Sequence, residues 1–275
     1  FFLAPFLIFS QNWTQVGQDI DGEAAEDASG YSVAMSADGN IVAIGAPYND
    51  DNGHHSGHTR IYKKINGSWN QLGSDINGGL VNAESGWSVD LSSDGNIVAI
   101  GEPGYNFQGG EGMTRVFSWD GTSWNMLGDS IIGESLGDQS GWSISLSSDG
   151  NTLAIGAIGN DGNGSNSGHV RVYNWDGSSW VQLGNDLDGE YANDKSGWSV
   201  SINDDGTIVA IGSYWNYGNG NSAGHVRVYE YINGSWNQIG QDIDGEAAGD
   251  QSGFSVSLSS DGQILAVGAH QNDGN

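Results

Sequence analysis

Residues 140–157 read SGWSISLSSDGNTLAIGA, and the same sentence returns four more times. It stands as SGYSVAMSADGNIVAIGA from Ser29, SGWSVDLSSDGNIVAIGE from Ser85, SGWSVSINDDGTIVAIGS from Ser196 and SGFSVSLSSDGQILAVGA from Ser252. The period is roughly 56 residues, a length that marks repeat architecture. A tryptophan ladder (Trp13, Trp69, Trp124, Trp180, Trp236) keeps the same period. Within one period the sequence predicts four short strands. Pairs such as Val89/Leu91 and Ile144/Leu146 alternate with small polar residues, which is a period of two. A D-G turn follows, supplying the positive φ that a tight hairpin needs. The IVAIGA segment is apolar throughout and is expected to be buried on both faces. A GHVRVY-like strand starts at Gly57, Gly112, Gly168 and Gly224, and a W-x-Q-L-G-like strand closes the unit. Four antiparallel strands per repeat predict an all-β propeller of four-stranded blades. A β-solenoid has much shorter repeats. Separate small sandwiches would have too little core each. The large aromatics, Trp87, Trp142 and Trp198 with Tyr31 and Phe254 in one slot and Trp13 with its equivalents in another, are expected to fill the wedges between blades. Each would bury about 150–250 Å².

The pattern G-x-S-V…S-x-D-G…A-(I/V)-G-A-P resembles the FG-GAP repeat, the unit of integrin-α-like propellers and of many secreted microbial proteins. Gly45-Ala46-Pro47 matches the GAP half in full and Gly101-Glu102-Pro103 nearly so; Gly253-Phe254 carries the other half in reversed order. The resemblance covers most of residues 12–275. It implies a propeller and a ring of seven blades, of which this chain would be a fragment continuing past Asn275. Family members often carry a D-x-D-x-D-G calcium loop after the first strand; here only S-x-D-G stands there, so that site is not carried over. Residues 1–10 are expected to be the remnant of a secretory signal, because FFLAPFLIF is a short apolar run. The propeller would occupy 11–275, with repeats near 28–73, 84–128, 139–184, 195–240 and an incomplete one at 251–275.

The 275 residues include 46 Gly, 3 Pro, 11 Trp and no Cys, so turns are many and disulfides have no part. A formal charge of −27 repels phosphate and argues against nucleic acid. In an up-and-down blade the 4→1 and 2→3 loops share one end, and most of the 34 acidic residues fall in them. The densest are the D-x-D-G-E loops: Asp19, Asp21 and Glu23 with Asp27; Asp186, Asp188 and Glu190 with Asp194; Asp242, Asp244 and Glu246 with Asp250. Clustered oxygen ligands of this kind suit calcium; the other reading is solvated loops held by Asx turns. The equivalent loops holding Asn77 and Gly79, and Ile132, are expected to bind weakly or not at all.

The 2→3 loops also carry Tyr48, Tyr105, Phe107, Tyr214, Trp215 and Tyr217. Rings with a polar edge suit a recognition surface for a glycan or protein; the alternative is packing against the adjacent 4→1 loop. Arg60, Arg115, Arg171 and Arg227 hold one position of the third strand, two residues after His58, Met113, His169 and His225. They are expected to be structural, each paired with an acid of its repeat: the D-G turn (Asp38, Asp94, Asp149, Asp205) or the Asp27 slot. His54-His55 beside Asp50 and Asp51 is a weak transition-metal candidate. The chain lacks G-x-S-x-G, H-E-x-x-H and phosphate-loop motifs, so the expectation is that it is not an enzyme. The function expected is a secreted or cell-surface binding or adhesion module with an extracellular protein or glycan partner and no membrane insertion. The alternatives are a polysaccharide-active enzyme or its sugar-binding scaffold, and a purely structural repeat domain.

Overall fold

A computed structural model of the chain describes residues 13–104 and 110–274. The expected signal remnant at 1–10 lies outside them. Four complete blades and one hairpin form in chain order, and no helix occurs among the described residues. The inner strands are Ser32–Met35, Ser88–Leu91, Ser140–Leu146, Ser199–Ile202 and, in the hairpin, Ser252–Leu258. Each pairs antiparallel with a second strand, Ile41–Ala46, Ile97–Glu102, Thr152–Ala157, Ile208–Ser213 or Leu265–Ala269. In the four blades the second strand pairs with a third, His58–Ile65, Met113–Trp119, His169–Trp175 or His225–Ile232. The outer strands, Ser68–Gln71, Trp124–Met126, Trp180–Gln182 and Ser235–Gln238, complete the meander.

Every complete blade also has a fifth strand that the sequence reading missed. Ile76–Asn77, Ile131–Ile132, Leu187–Asp188 and Ile243–Asp244 pair with the opening residues of the third strand, in the register His169↔Asp188 and His225↔Asp244. Two residues of each supposed 4→1 loop are therefore sheet edge, and in the third and fourth blades Asp188 and Asp244 stand opposite the third-strand histidines.

Alternation on the inner strand divides it between two neighbours. Val89 and Leu91 pack backward onto Ile41, Ala43 and Ile61 of the first blade. Ser88 points forward and its Oγ donates to the Gly141 carbonyl of the next blade at 2.8 Å; Ser32, Ser143 and Ser199 repeat the bond. The second strand is buried on both faces as expected: Val98 and Ile100 face the first blade, while Ala99 packs with Ile144 and Leu146 of the third. The core is thus a series of inter-blade seams. At the D-G turns the blades are joined by a run of backbone bonds, Ala37 N–H to Ser93 O, Ser93 N–H to Ser148 O, Ser148 N–H to Asp204 O and Asp204 N–H to Ser260 O, at 2.8–3.0 Å. At the rim each outer-strand Trp donates its indole N–H to the exit segment of the preceding blade, as Trp124 does to Leu72 O at 2.8 Å and Trp236 to Leu183 O at 2.7 Å. Trp69, Trp124, Trp180 and Trp236 fill the wedge as predicted, but Trp13 does not: it is 99% exposed. The Trp87 ladder does something else, described below.

One forward-facing inner-strand residue is out of place. Asp90 takes the slot of Ser145, Ser201 and Ser257. Its carboxylate accepts the Leu146 N–H of the next blade at 2.7 Å, the task that the Ser145 and Ser201 hydroxyls perform for Ile202 and Leu258. Burial pushes Asp90 up to about 6 from an ordinary 3.8, against two backbone N–H bonds that favour the charge. A carboxyl raised on folding binds its proton more tightly in the native state, so native stability falls as pH rises from 4 to 6 and the deficit then persists. Asp90→Ser keeps the inter-blade acceptor. It is expected to stabilise the chain by roughly 2–3 kcal/mol at pH 8, with the gain gone at pH 4. Urea melts of both proteins at the two pH values check this; an equal gain at both would mean that the carboxyl charge is not the cause.

Candidate functional site: the loop-bearing end

The Trp87 ladder stands at the start of the inner strands, on the loop-bearing end: Tyr31, Trp87 and Trp198 immediately precede Ser32, Ser88 and Ser199, and Trp142 and Phe254 lie near the start of Ser140–Leu146 and Ser252–Leu258. Its rings do not separate into wedges. They follow one another in a row, each tilted 42–47° to the next: Tyr31–Trp87 at 4.6 Å between centroids, Trp87–Trp142 at 4.7 Å, Trp142–Trp198 at 4.9 Å and Trp198–Phe254 at 5.6 Å. The three tryptophans are partly buried, and Tyr31 and Phe254 at the ends are exposed. Of the aromatics expected at a recognition surface, Tyr214 stacks on Trp198 at 4.3 Å and Trp215 on Tyr214 at 5.5 Å. Tyr48 stands 6.5 Å from Tyr31 and 4.9 Å from His55. His270 extends the series by stacking on Phe254 at 3.9 Å. Tyr217 is exposed beyond this group, and Tyr105 and Phe107 lie outside the described residues. The result is a curved collar of about eight rings around the axis.

The acids behave differently from expectation. Asp27, Asp138, Asp194 and Asp250 are buried and structural. Each accepts a backbone N–H of its own loop and the side-chain amide of Asn49, Asn160, Asn216 or Asn272 across the end. Asp19, Asp186 and Asp242 are tethered by Gln15, Gln182 and Gln238 four residues earlier. Asp21 and Asp188 offer backbone carbonyls to Arg60 and Arg227 at 2.7 and 2.6 Å, and Asp244 and Glu246 are exposed. The four acids of one D-x-D-G-E loop therefore do not gather into one calcium cage.

Acids from successive loops gather instead, each time around a histidine. Three groups could hold a metal ion: Glu23, His58 and Asp75; Glu134, His169 and Asp186; Glu190, His225 and Asp242. In each, one ligand atom per residue lies within 4.8 Å of the others. The Glu comes from one exit loop, the His opens the third strand of the following blade, and the Asp precedes the fifth strand of that blade. Burial lowers the pKa of all three histidines, most for His225, down to about 4 with the Arg227 charge assisting. They are neutral imidazoles at neutral pH.

The arginine pairing also corrects the sequence reading. None of the four meets a D-G turn acid or the Asp27 slot in an ion pair. Arg60 faces Glu23 at 3.7 Å, Arg115 pairs with Glu102, and Arg171 pairs with both Asp186 and Glu134. The register explains it: Arg60 is opposite Ile44, whereas the turn precedes Ile41 at the far end of the second strand. Asp38, Asp94 and Asp149 lock their own turns by accepting from Ser36, Ser92 and Ser147; Asp205 is exposed, and Asn203 takes over the locking. The arginine partners are thus acids and carbonyls of the exit loops and, in the second blade, Glu102 of the second strand. His54 and His55 stack on each other at 4.0 Å in an exposed loop.

A family model described as the FG-GAP repeat matches residues 19–62 and 134–173. Two stretches of the repeated sequence therefore match the FG-GAP repeat that the whole pattern resembles. No curated protein matches it. Among solved structures, a protein assigned as a 6-phosphogluconolactonase from Bacteroides uniformis aligns with a TM-score of 0.59 at 15% identity, covering 86% of this chain and 63% of the other. A periplasmic gluconolactonase from Pseudomonas aeruginosa aligns at 0.56 and 18%, covering 86% and 64%. Hydrazine synthase from Kuenenia stuttgartiensis aligns at 0.55 and 14%, covering 86% and 61%. The chain thus spans less than two thirds of the length of each, and these likenesses speak for the propeller fold. They also overturn the expectation that the chain is not an enzyme. Two propellers of this shape are named as lactonases, so missing short catalytic motifs do not exclude catalysis on the fold. No helix among the described residues is long and apolar enough to cross a membrane.

Proposed function

We propose that the chain acts outside the cell, secreted or surface-held, as a recognition propeller whose aromatic collar takes a glycan. The observation that carries this reading is the continuous run Tyr31–Trp87–Trp142–Trp198–Phe254, extended by Tyr214 and Trp215, in which Tyr31, Phe254 and Trp215 are exposed and the three tryptophans of the run half-buried. A run of rings with apolar faces and polar edges fits the C–H faces of successive sugars. The charge of −27 selects among glycans: uronate and sulfate chains are repelled, and neutral or amino sugars are favoured. The test is a glycan array followed by calorimetry on the best neutral or amino-sugar hit. Trp142→Ala at the centre of the collar is expected to weaken binding about tenfold or more, roughly 1.4 kcal/mol or above. An array without hits, or a hit indifferent to Trp142→Ala, overturns the reading. Reducing ends measured in the same samples decide between binding alone and turnover.

A further inference from the structure

We propose that the seams in front of the first, third and fourth blades are sites for a divalent transition-metal ion such as Zn²⁺, each held by one histidine nitrogen and two carboxylates. Three observations carry this.

First, the histidines are otherwise unexplained. His58, His169 and His225 are 1%, 3% and 1% exposed, and the Nδ1 of each is buried without a hydrogen-bond partner. A buried imidazole nitrogen with nothing to bond costs stability. All three are aimed at carboxylates. His58 Nδ1 lies 3.6 Å from Glu23 Oε2, and His225 Nδ1 lies 3.6 Å from Asp242 Oδ2 and 4.0 Å from Glu190 Oε2. His169 Nδ1 lies 3.8 Å from Asp186 Oδ2. These separations are too long for hydrogen bonds. They are close to the spacing of two ligands across one ion, about 3.3 Å for tetrahedral bonds of about 2.0–2.1 Å, so a small contraction would close the site.

Second, the repeats exchange the three residues together. In front of the second blade the Glu slot is Gly79, the His slot is Met113 and the Asp slot is Ser130. A purely structural set would tolerate piecemeal replacement. Here the ligand triad is complete in front of the first, third and fourth blades and wholly gone in front of the second, where Arg115 takes Glu102 as its partner instead.

Third, the donor set matches the ion class. One imidazole with two carboxylates suits a borderline ion such as Zn²⁺ better than calcium, which takes six to eight oxygens. The three sites are not equal. Arg171 bonds both Asp186 and Glu134, so its guanidinium competes with an ion. Arg60 stands 3.7 Å from Glu23, and Arg227 gives its Nη2 to the Asp188 carbonyl, which leaves the outer two seams freer. The first and fourth seams are therefore the tight sites and the third the weak one.

The test uses the tag-free chain stripped with a chelator, with His54→Ser and His55→Ser introduced to silence that exposed pair. Zn²⁺ calorimetry is expected to show two tight equivalents and a third at higher concentration, and Co²⁺ to give visible absorption bands of a low-coordinate site. His58→Met and His225→Met copy Met113 of the second blade, a residue this position already accommodates. Each is expected to remove one tight equivalent with the circular dichroism unchanged, and His169→Met to remove the weak one. No Zn²⁺ or Co²⁺ uptake, uptake unaffected by the histidine substitutions, or Ca²⁺ taking these sites ahead of Zn²⁺ would each overturn the assignment. This inference is independent of the glycan reading, since no collar aromatic takes part.

Discussion

Glu102→Ala is expected to destabilise the chain by about 3–5 kcal/mol, the cost of stranding one member of a buried ion pair. Glu102 is 0% exposed, and its carboxylate pairs with Arg115 and accepts from the Ser85 hydroxyl. Burial pushes the carboxyl up and Arg115 pulls it back. The side chain itself is not needed to fill space, because Ala46, Ala157 and Ala269 hold the same position in other repeats. Those repeats supply acids from the exit loops; the second blade has Gly79 and Ser130 there and depends on Glu102. Removing it leaves the guanidinium with the Asn77 carbonyl and the Ser85 hydroxyl only. The double variant Glu102→Ala with Arg115→Met is expected to regain most of the loss, since an apolar pair at a buried ion-pair site is often neutral or better. Urea midpoints of the single and double variants measure this. A double variant as unstable as Glu102→Ala would mean that the pair is not what the carboxylate is for.

The same comparison shows what a sequence of this kind discloses. Strand period, D-G turns and the recurrence of SGW…AIGA fix the blades, because each depends on contacts only a few residues apart. The doubly buried second strand was legible in IVAIGA for the same reason. Partners across a seam were not. Arg60 finds Asp21 and Glu23, and Arg227 finds Asp188, 37–39 residues back in the exit loop of the preceding repeat, while the D-G acids that stand nearer in the chain face the opposite end of the blade. The fifth strand escaped because two residues such as Ile76–Asn77 have no period to read, and its acids looked like loop. The two aromatic ladders carry equal hydrophobicity, so only the geometry separates the wedge filler at Trp124 from the collar at Trp142. One signal for the metal candidates was read only in pieces: Gly79 and Met113 were each noted, but not that they depart from the repeat pattern together with Ser130 in one seam.

The glycines of the repeated sentence answer to those seams too, and the second large effect expected is at one of them. Gly156→Ala should cost about 3 kcal/mol or more, although an Ala in a strand is ordinarily favoured over Gly by roughly 0.5–1 kcal/mol. A Cβ there would sit 2.2 Å from the Gly197 carbonyl oxygen of the next blade and 2.5 Å from Ser143 Oγ. The hydroxyl can rotate away, but the carbonyl belongs to backbone that is pinned: it accepts the Ser143 hydroxyl, and its glycine holds φ +84° against the second strand of the third blade. Gly45, Gly101 and Gly212 meet Gly86, Gly141 and Gly253 in the same way, at 2.0–2.1 Å. One backbone of each seam thus lies directly on the next, which is why both the S-G and the I-G of the repeat are glycine in all five copies. Gly268 provides the control. Its Cβ would meet only the Ser255 side chain closely, with no facing backbone nearer than 3.7 Å, so Gly268→Ala is expected to cost less than about 1 kcal/mol. Thermal and urea melts of the two variants separate the effects. If both lose equally, the cause is the strand conformation of the glycine; if only Gly156→Ala loses, it is the contact between blades, and the seams that hold the collar and the histidine clusters in place are backbone-tight.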